Sequence, residues 1–96
     1  MATYITLVNL TDQGARNIKD SPKRFEAYRT LAEQMGVTIK SVYWTTGQYD
    51  MVLTVEASEE AAMVSLLRTI TLGNIRTQTL RAYSIDEMKD LVGKLA

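Results

Sequence analysis

The sequence contains no cysteine and no histidine, and the two absences together exclude several classes of site. Without cysteine there are no disulfides, no thiolate nucleophiles and no sulfur ligands for a metal. Without histidine the chain lacks the usual general base at neutral pH and the commonest metal ligand. The sequence therefore predicts neither a metal site nor a cofactor, and it identifies no catalytic residue.

An excess of one charge and long apolar runs are also lacking. The 96 residues include 11 basic and 11 acidic side chains, so the formal net charge is zero. No basic block is present to attract a phosphate backbone, which argues against nucleic-acid binding. No apolar stretch approaches the ~20 residues of a membrane span, and no signal-peptide pattern precedes the first strand. We therefore expect one cytoplasmic domain, residues 1–96, that associates with neither nucleic acid nor membranes.

Runs rich in β-branched and aromatic residues predict four strands, over residues 3–10, 37–44, 51–56 and 74–83. The second and third runs are joined by the short link 45–50, which contains one glycine. Two strands joined in this way are typical of a β-hairpin. The hairpin is the centre of the predicted fold.

Three helices are predicted from their capping residues and apolar spacing. The first starts with Ser21 as N-cap and Pro22 in its first turn, and Gly36 ends it. The second starts at Ser58, and the third starts at Ser84 with a capping box. The buried stripe expected for the second helix consists of Met63, Leu66, Leu67 and Ile70.

The element order β-α-β-β-α-β, with one extra C-terminal helix, predicts an α+β fold of ferredoxin-like type with an antiparallel sheet. Two helices cover only one face of such a sheet. In the third strand we assign the row Tyr49, Met51, Leu53 and Val55 to the helices. The opposite row consists of Asp50, Val52, Thr54 and Glu56.

The predicted helices leave the second face of the sheet uncovered. In the second strand the alternating rows are 37, 39, 41, 43, 45 and 38, 40, 42, 44, 46, and each contains large apolar residues. An uncovered face with Val52 and either Tyr43 or Trp44 would be an exposed apolar patch. We therefore expect a second copy to pack on it, giving a dimeric α/β barrel. A solvated face of mixed polarity is the alternative.

The hairpin link Gly47-Gln48-Tyr49-Asp50, together with residues 11–14, 21–24 and 42–47, resembles the GYD domain family. One residue is inserted here between the glycine and the tyrosine of the family signature. The hairpin is also similar to the effector-binding domains of leucine-responsive and asparagine-type transcription regulators. No DNA-binding helix-turn-helix precedes the domain, so a regulator role is not implied. The resemblance implies a dimeric α/β-barrel fold and no assigned activity.

The hairpin supplies the first group of candidate ligand-binding residues. Tyr43, Trp44 and Tyr49 at strand spacing are typical of core or interface positions, and alternatively they contact a ligand. Gly47 provides the backbone angle of the turn. Asp50 either accepts hydrogen bonds from turn amides or lies as a carboxylate at the mouth of a cavity between two sheets, where burial would favour a role as a base.

Two arginines form the second group of candidates. Arg24 lies on the first helix, either on a solvated face or near Gly14 as an anion contact. Arg76 lies in the polar fourth strand, where charges block unwanted strand pairing or bind a carboxylate. The full set of predicted ligand-binding residues is Tyr43, Trp44, Tyr49, Asp50, Arg24 and Arg76.

Three functional hypotheses follow from this pattern. The first is an oligomeric small-molecule-binding or sensory module, because pockets between subunits are common ligand sites. The second is an assembly or protein-interaction module, for which a sheet face suited to pairing is sufficient. The third is a cofactor-independent isomerase or monooxygenase-like enzyme, which the lack of histidine and cysteine disfavours. The expected partners are a second copy of the chain and a small-molecule ligand.

Overall fold

A computed structural model describes residues 1–95 and contains a four-stranded antiparallel sheet with strand order β2-β3-β1-β4. The elements are β1 (Ala2–Leu10), α1 (Asp12–Arg16), a 3-10 turn (Ile18–Asp20), α2 (Ser21–Gln34), β2 (Thr38–Trp44), β3 (Met51–Ala57), α3 (Glu59–Ile70), β4 (Ile75–Ala82) and α4 (Ile85–Val92). This architecture confirms the predicted α+β ferredoxin-like fold with an extra C-terminal helix. Within residues 1–95, no helix has the length and apolarity needed to span a membrane.

The register of the sheet defines its two faces. The central strand β1 places Ile5 opposite Thr54 of β3 and Leu80 of β4, so these three side chains share one face. Because neighbouring positions in a strand point to opposite faces, Val55, opposite Tyr4 of β1, lies on the other face. The helices α2 and α3 cover that second face. The uncovered side is called the open face below; its large apolar and aromatic strand residues are Ile5, Leu7, Tyr43, Val52 and Leu80.

The apolar core lies between the helices and the covered face. Its buried residues are Val8, Phe25, Ala32, Val37, Met51, Leu53, Val55 and Ala57. The assignment of Met51, Leu53 and Val55 to the helix side is therefore confirmed. The assignment of Tyr49 to the same row is wrong, because its hydroxyl reaches Gln78, which lies on the open face. Tyr49 precedes β3 in the hairpin link, where strand alternation does not apply.

A β-bulge in β2 overturns the simple alternation predicted for that strand. Ile39 pairs with Val55, but the register shifts before Ser41, so that Val42 pairs with Leu53. One extra residue in a bulge moves every later side chain of the strand to the opposite face. Ile39 and Val42 therefore both lie on the helix side, although their numbers differ in parity.

The start of α2 differs from the prediction. Ser21 is the first residue of the helix rather than its N-cap, and Asp20 occupies the cap position without a side-chain hydrogen bond. The 3-10 turn runs directly into α2, so no extended residue separates them. The Ser21 hydroxyl is buried and instead accepts a hydrogen bond from Nε1 of Trp44 at 3.1 Å. Gly36, with φ of +85°, follows the end of the helix as predicted.

The phase of α3 also differs from the prediction. Met63, Leu67 and Ile70, expected to be buried, are 51%, 47% and 39% exposed, and only Leu66 is partly covered. The side facing the sheet has smaller residues, including Ser65, which is 1% exposed. Helical spacing identifies an apolar stripe but does not specify which side of the helix meets the sheet. Met63, Leu67 and Ile70 are called the outer stripe below.

The predicted caps of the last two helices are confirmed. Ser58 accepts a hydrogen bond from the Ala61 amide, and Ser84 and Glu87 form the reciprocal bonds of a capping box. The hydrogen bond from the Ser84 amide lowers the pKa of the Glu87 carboxyl below its ordinary value, with Arg81 contributing in the same direction. The apolar residues of α4 are all exposed; they are Ile85, Met88, Leu91, Val92 and Leu95 just beyond it.

Candidate functional site

Asp50 joins the hairpin to the central strand. Its amide donates to the carbonyl oxygen of Val8 at 2.8 Å, and its Oδ2 accepts from the amide of Leu10 at 2.8 Å. Its own carbonyl accepts from the amide of Thr45 at 2.9 Å, which closes the link. Gly47, with φ of +118°, adopts the left-handed conformation that the turn needs. The backbone and side chain of Asp50 together extend the β1–β3 pairing to the residue before the start of β3.

The three hairpin aromatics lie in different surroundings. The Tyr49 hydroxyl donates to Oε1 of Gln78 at 3.1 Å, which links the hairpin to β4. Tyr43 lies opposite Val52 on the open face and is 67% exposed. Trp44 lies on the helix side, where its ring meets that of Phe25 edge-on at 5.9 Å between centroids. The hairpin therefore presents aromatic side chains to both sides of the sheet.

The two candidate arginines are also separated by the sheet. Nη1 of Arg24 donates to the carbonyl oxygen of Asn17 at 2.8 Å, on the helix side. Arg76 pairs with Asn9 of β1 and is exposed on the open face. The six predicted residues thus form two groups, Trp44 and Arg24 on the helix side and Tyr43, Tyr49 and Arg76 on the open face, with Asp50 at the strand end. They do not converge on one pocket.

A cavity that the sequence did not predict lies between the sheet and the two long helices. Its volume is about 550 Å³, and most of its lining is apolar, including Val8, Phe25 and Leu53. α3 contributes the small residues Ala62 and Ser65 to its wall. Small residues at helical spacing in α3 were the available signal, since they leave space between a helix and a sheet.

Polar side chains also contribute to the wall of the cavity, including Thr6, Thr77 and Thr79 on the covered face of the sheet. The hydroxyls of Tyr28 on α2 and Ser65 on α3 are hydrogen-bonded at 2.9 Å, which links the two helices. Arg24 and Arg68 line the cavity, and no acidic side chain from residues 1–95 does. In the same part of the chain, no group of three carboxylates lies close enough to hold a metal ion. The cavity is thus apolar with a positive charge excess.

The profile of the GYD domain family matches residues 4–92. The chain belongs to the GYD domain family. This confirms the resemblance found in the hairpin, and the match covers nearly the whole chain.

A relative of this GYD domain is the glutamine synthetase and cystathionine beta-lyase binding protein of Thermus thermophilus. The two sequences are 34% identical over 97 residues, and the alignment covers 99% of each chain. The name of that relative describes a protein that binds two enzymes. For that relative, the name agrees with the protein-interaction hypothesis drawn from the sequence.

Proposed function

We propose that this GYD domain is a self-associating protein-interaction module that binds an enzyme of the kind for which its Thermus relative is named. The supporting observation is that three apolar surfaces have no cover within residues 1–95: the open face, the outer stripe of α3 and the apolar side of α4. Exposed apolar surface of this extent is typical of binding sites. We assign the open face to a second copy of the chain and the outer stripe to the enzyme.

The open face has the composition of an interface. Ile5 and Leu7 of the central strand lie there beside Val52 and Leu80, and the exposed ring of Tyr43 flanks them. A charged pair, Lys40 and Glu56 at 3.4 Å, lies towards one end of the same face. An apolar centre with a charged margin is the usual arrangement of a protein interface. Face-to-face packing of two such sheets gives the dimeric α/β barrel expected from the sequence.

A charge introduced at the centre of the open face tests the self-association. We expect wild-type protein to elute as a dimer or a larger oligomer at micromolar concentration, measured by size exclusion with light scattering. We expect Leu7→Lys to shift it to monomer, because an unpaired ammonium group would be buried in the interface. Gln34→Lys, on the exposed end of α2, is the matched control and leaves the mass unchanged. A folded wild-type monomer contradicts the proposal.

The outer stripe is suited to a different partner. Met63, Leu67 and Ile70 recur along one side of α3 and face away from the sheet. Packing through the open face leaves this side of the helix layer uncovered. An apolar stripe on a helix binds a complementary groove through residues at this spacing.

Direct binding to candidate enzymes tests this assignment. The GYD domain is immobilised and exposed to the glutamine synthetase and the cystathionine beta-lyase of its own source organism, and binding is measured by interferometry. We expect Leu67→Glu to weaken binding about 10-fold or more, because the charge replaces a buried apolar contact. Gln34→Glu on α2 is the control. If neither enzyme binds, or if Leu67→Glu binds as wild type does, the assignment of the outer stripe is wrong.

Small-molecule binding is a second candidate function, and the observation that favours it is the cavity beneath α2 and α3. Its volume of about 550 Å³ lies within the range of pockets that hold metabolite-sized ligands. This cavity lies on the helix side of the sheet, whereas the ligand site expected from the sequence lay between two sheets.

A further inference from the structure

We propose that the cavity between the sheet and α2 and α3 binds an amphiphilic carboxylate, with its apolar body over the sheet and its carboxylate at Arg24. This inference deepens the second candidate function and is independent of self-association and of enzyme binding.

The cavity has the shape and lining for an apolar body. Val8, Leu53 and Val55 of the sheet form part of one wall, and Leu31 and Leu66 of the helices form part of the other. An apolar ligand there would gain contacts that the helices and sheet do not make with each other across this space. Filling the space with apolar atoms is therefore expected to stabilise the fold.

The charges around the cavity specify the sign of the ligand head. Arg24 and Arg68 are the charged residues of its lining. The ion pairs within residues 1–95 are Lys40–Glu56 and Arg81–Glu87, so neither of these arginines has a carboxylate within 4.0 Å. The chain as a whole is neutral, which makes this local excess of positive charge distinctive. A ligand carboxylate would balance it.

Arg24 is better placed than Arg68 to bind that carboxylate. Arg68 is exposed, whereas Arg24 is partly covered and uses Nη1 to bond the Asn17 carbonyl, which holds its side chain in place. The remaining guanidinium N–H groups can form a two-point contact with a carboxylate. The buried hydroxyl of Ser21 also lines the cavity; it accepts from Trp44, so its proton is available to donate.

Trp44 is positioned to report on an occupied cavity. It is the single tryptophan of the chain, and its ring contacts that of Phe25, which lines the cavity. A ligand against Phe25 would change the surroundings of the indole, so fluorescence follows binding without a label.

The test compares decanoate with decanol, two probes of equal chain length of which only decanoate has a charged head. Decanoate is kept below its micelle concentration and decanol below its solubility limit. We expect decanoate to change Trp44 fluorescence and raise the melting temperature, and decanol to bind more weakly. Arg24→Gln is expected to lower the affinity for decanoate about 10- to 100-fold and the affinity for decanol by much less. The reason is that only the carboxylate loses a charged hydrogen bond. Arg16→Gln, at an exposed position of α1, is the matched control and leaves both affinities unchanged.

A variant that narrows the cavity establishes where the probe binds. Ala62→Leu places a larger side chain in the wall, and we expect it to weaken both probes while circular dichroism stays native. If a folded Ala62→Leu variant binds decanoate with the affinity of the wild type, the probe binds outside the cavity and the proposal is overturned. If both probes bind equally and Arg24→Gln has no effect, the assigned ligand class is wrong but a small-molecule site remains. If neither probe binds wild-type protein, the small-molecule function fails as well, while self-association is unaffected.

Discussion

Replacing Gly14 with alanine is expected to lower the free energy of unfolding by about 3 kcal/mol, one of the two largest effects we predict. Gly14 is buried in α1, and a Cβ atom there would overlap the carbonyl oxygen of Asn74 and press on Leu10. The Asn74 carbonyl cannot move freely, because it accepts a hydrogen bond from the Thr11 amide at 3.1 Å. Thermal unfolding is expected to shift down by at least about 10 °C.

The matched control for Gly14→Ala is Gly93→Ala, the same chemical change after α4. Gly93 has a helical φ of −62°, and its added Cβ would meet only carbonyl oxygens of its own helix, the nearer at 3.3 Å. Its effect is therefore expected to stay within about 1 kcal/mol. Equal melting temperatures for the two variants would contradict the close approach of α1 to Asn74.

Removing the Asp50 side chain is expected to lower the free energy of unfolding by about 1.5–3 kcal/mol, measured by urea denaturation. Asp50→Ala leaves the Leu10 amide without its acceptor at a partly buried position. Asp50→Asn is expected to lower the free energy of unfolding by less than Asp50→Ala does. The amide oxygen of asparagine can still accept the hydrogen bond, although without a charge.

Asp20→Ala is the control for the loss of an acidic side chain. Asp20 is exposed and makes no side-chain hydrogen bond at the start of α2, so we expect a change within about 0.5 kcal/mol. A stability of Asp50→Ala equal to that of Asp20→Ala would show that the carboxylate of Asp50 does not hold the hairpin to β1. The structural role of Asp50, one of the two alternatives given by the sequence, would then be wrong.

The parts of the fold that local rules determine were predicted from the sequence. The caps at Ser58 and Ser84 and the glycine after α2 depend on residues within one helical turn, so the sequence pattern is sufficient. The hairpin follows from two strand-forming runs and a short link containing Gly47. Element order then limits the topology, because right-handed crossovers allow few arrangements of four strands.

The errors occur where a distant contact decides the local structure. Serine is a typical N-cap residue, but Ser21 lies inside α2. Its hydroxyl accepts a hydrogen bond from Trp44, 23 residues away. The bulge before Ser41 depends on pairing with β3, and strand alternation within β2 contains no sign of it. Which side of α3 faces the sheet likewise depends on how closely the two surfaces approach.

The candidate site was predictable only in part for the same reason. The sequence identified Asp50 and Arg24 as residues of interest, and both make defined contacts in the structure. Their partners, Leu10 and the Asn17 carbonyl, belong to other elements or loops. The cavity beneath α2 and α3 depends on the distance between two layers, a quantity that no single segment encodes.

The bulge in β2 gives this strand one residue more than β3 over the length in which the two strands pair. Lys40 is the unpaired residue, because Ile39 pairs with Val55 and Ser41 with the neighbouring Thr54. Loss of Lys40 would therefore leave a regular strand with every other side chain on its present face. Loss or gain of one residue between Val42 and Trp44 would instead turn the end of the strand over, and the indole would lose Ser21 and Phe25. Members of the family that keep this core are thus expected to differ in the length of β2 at the position of Lys40 and not between Val42 and Trp44.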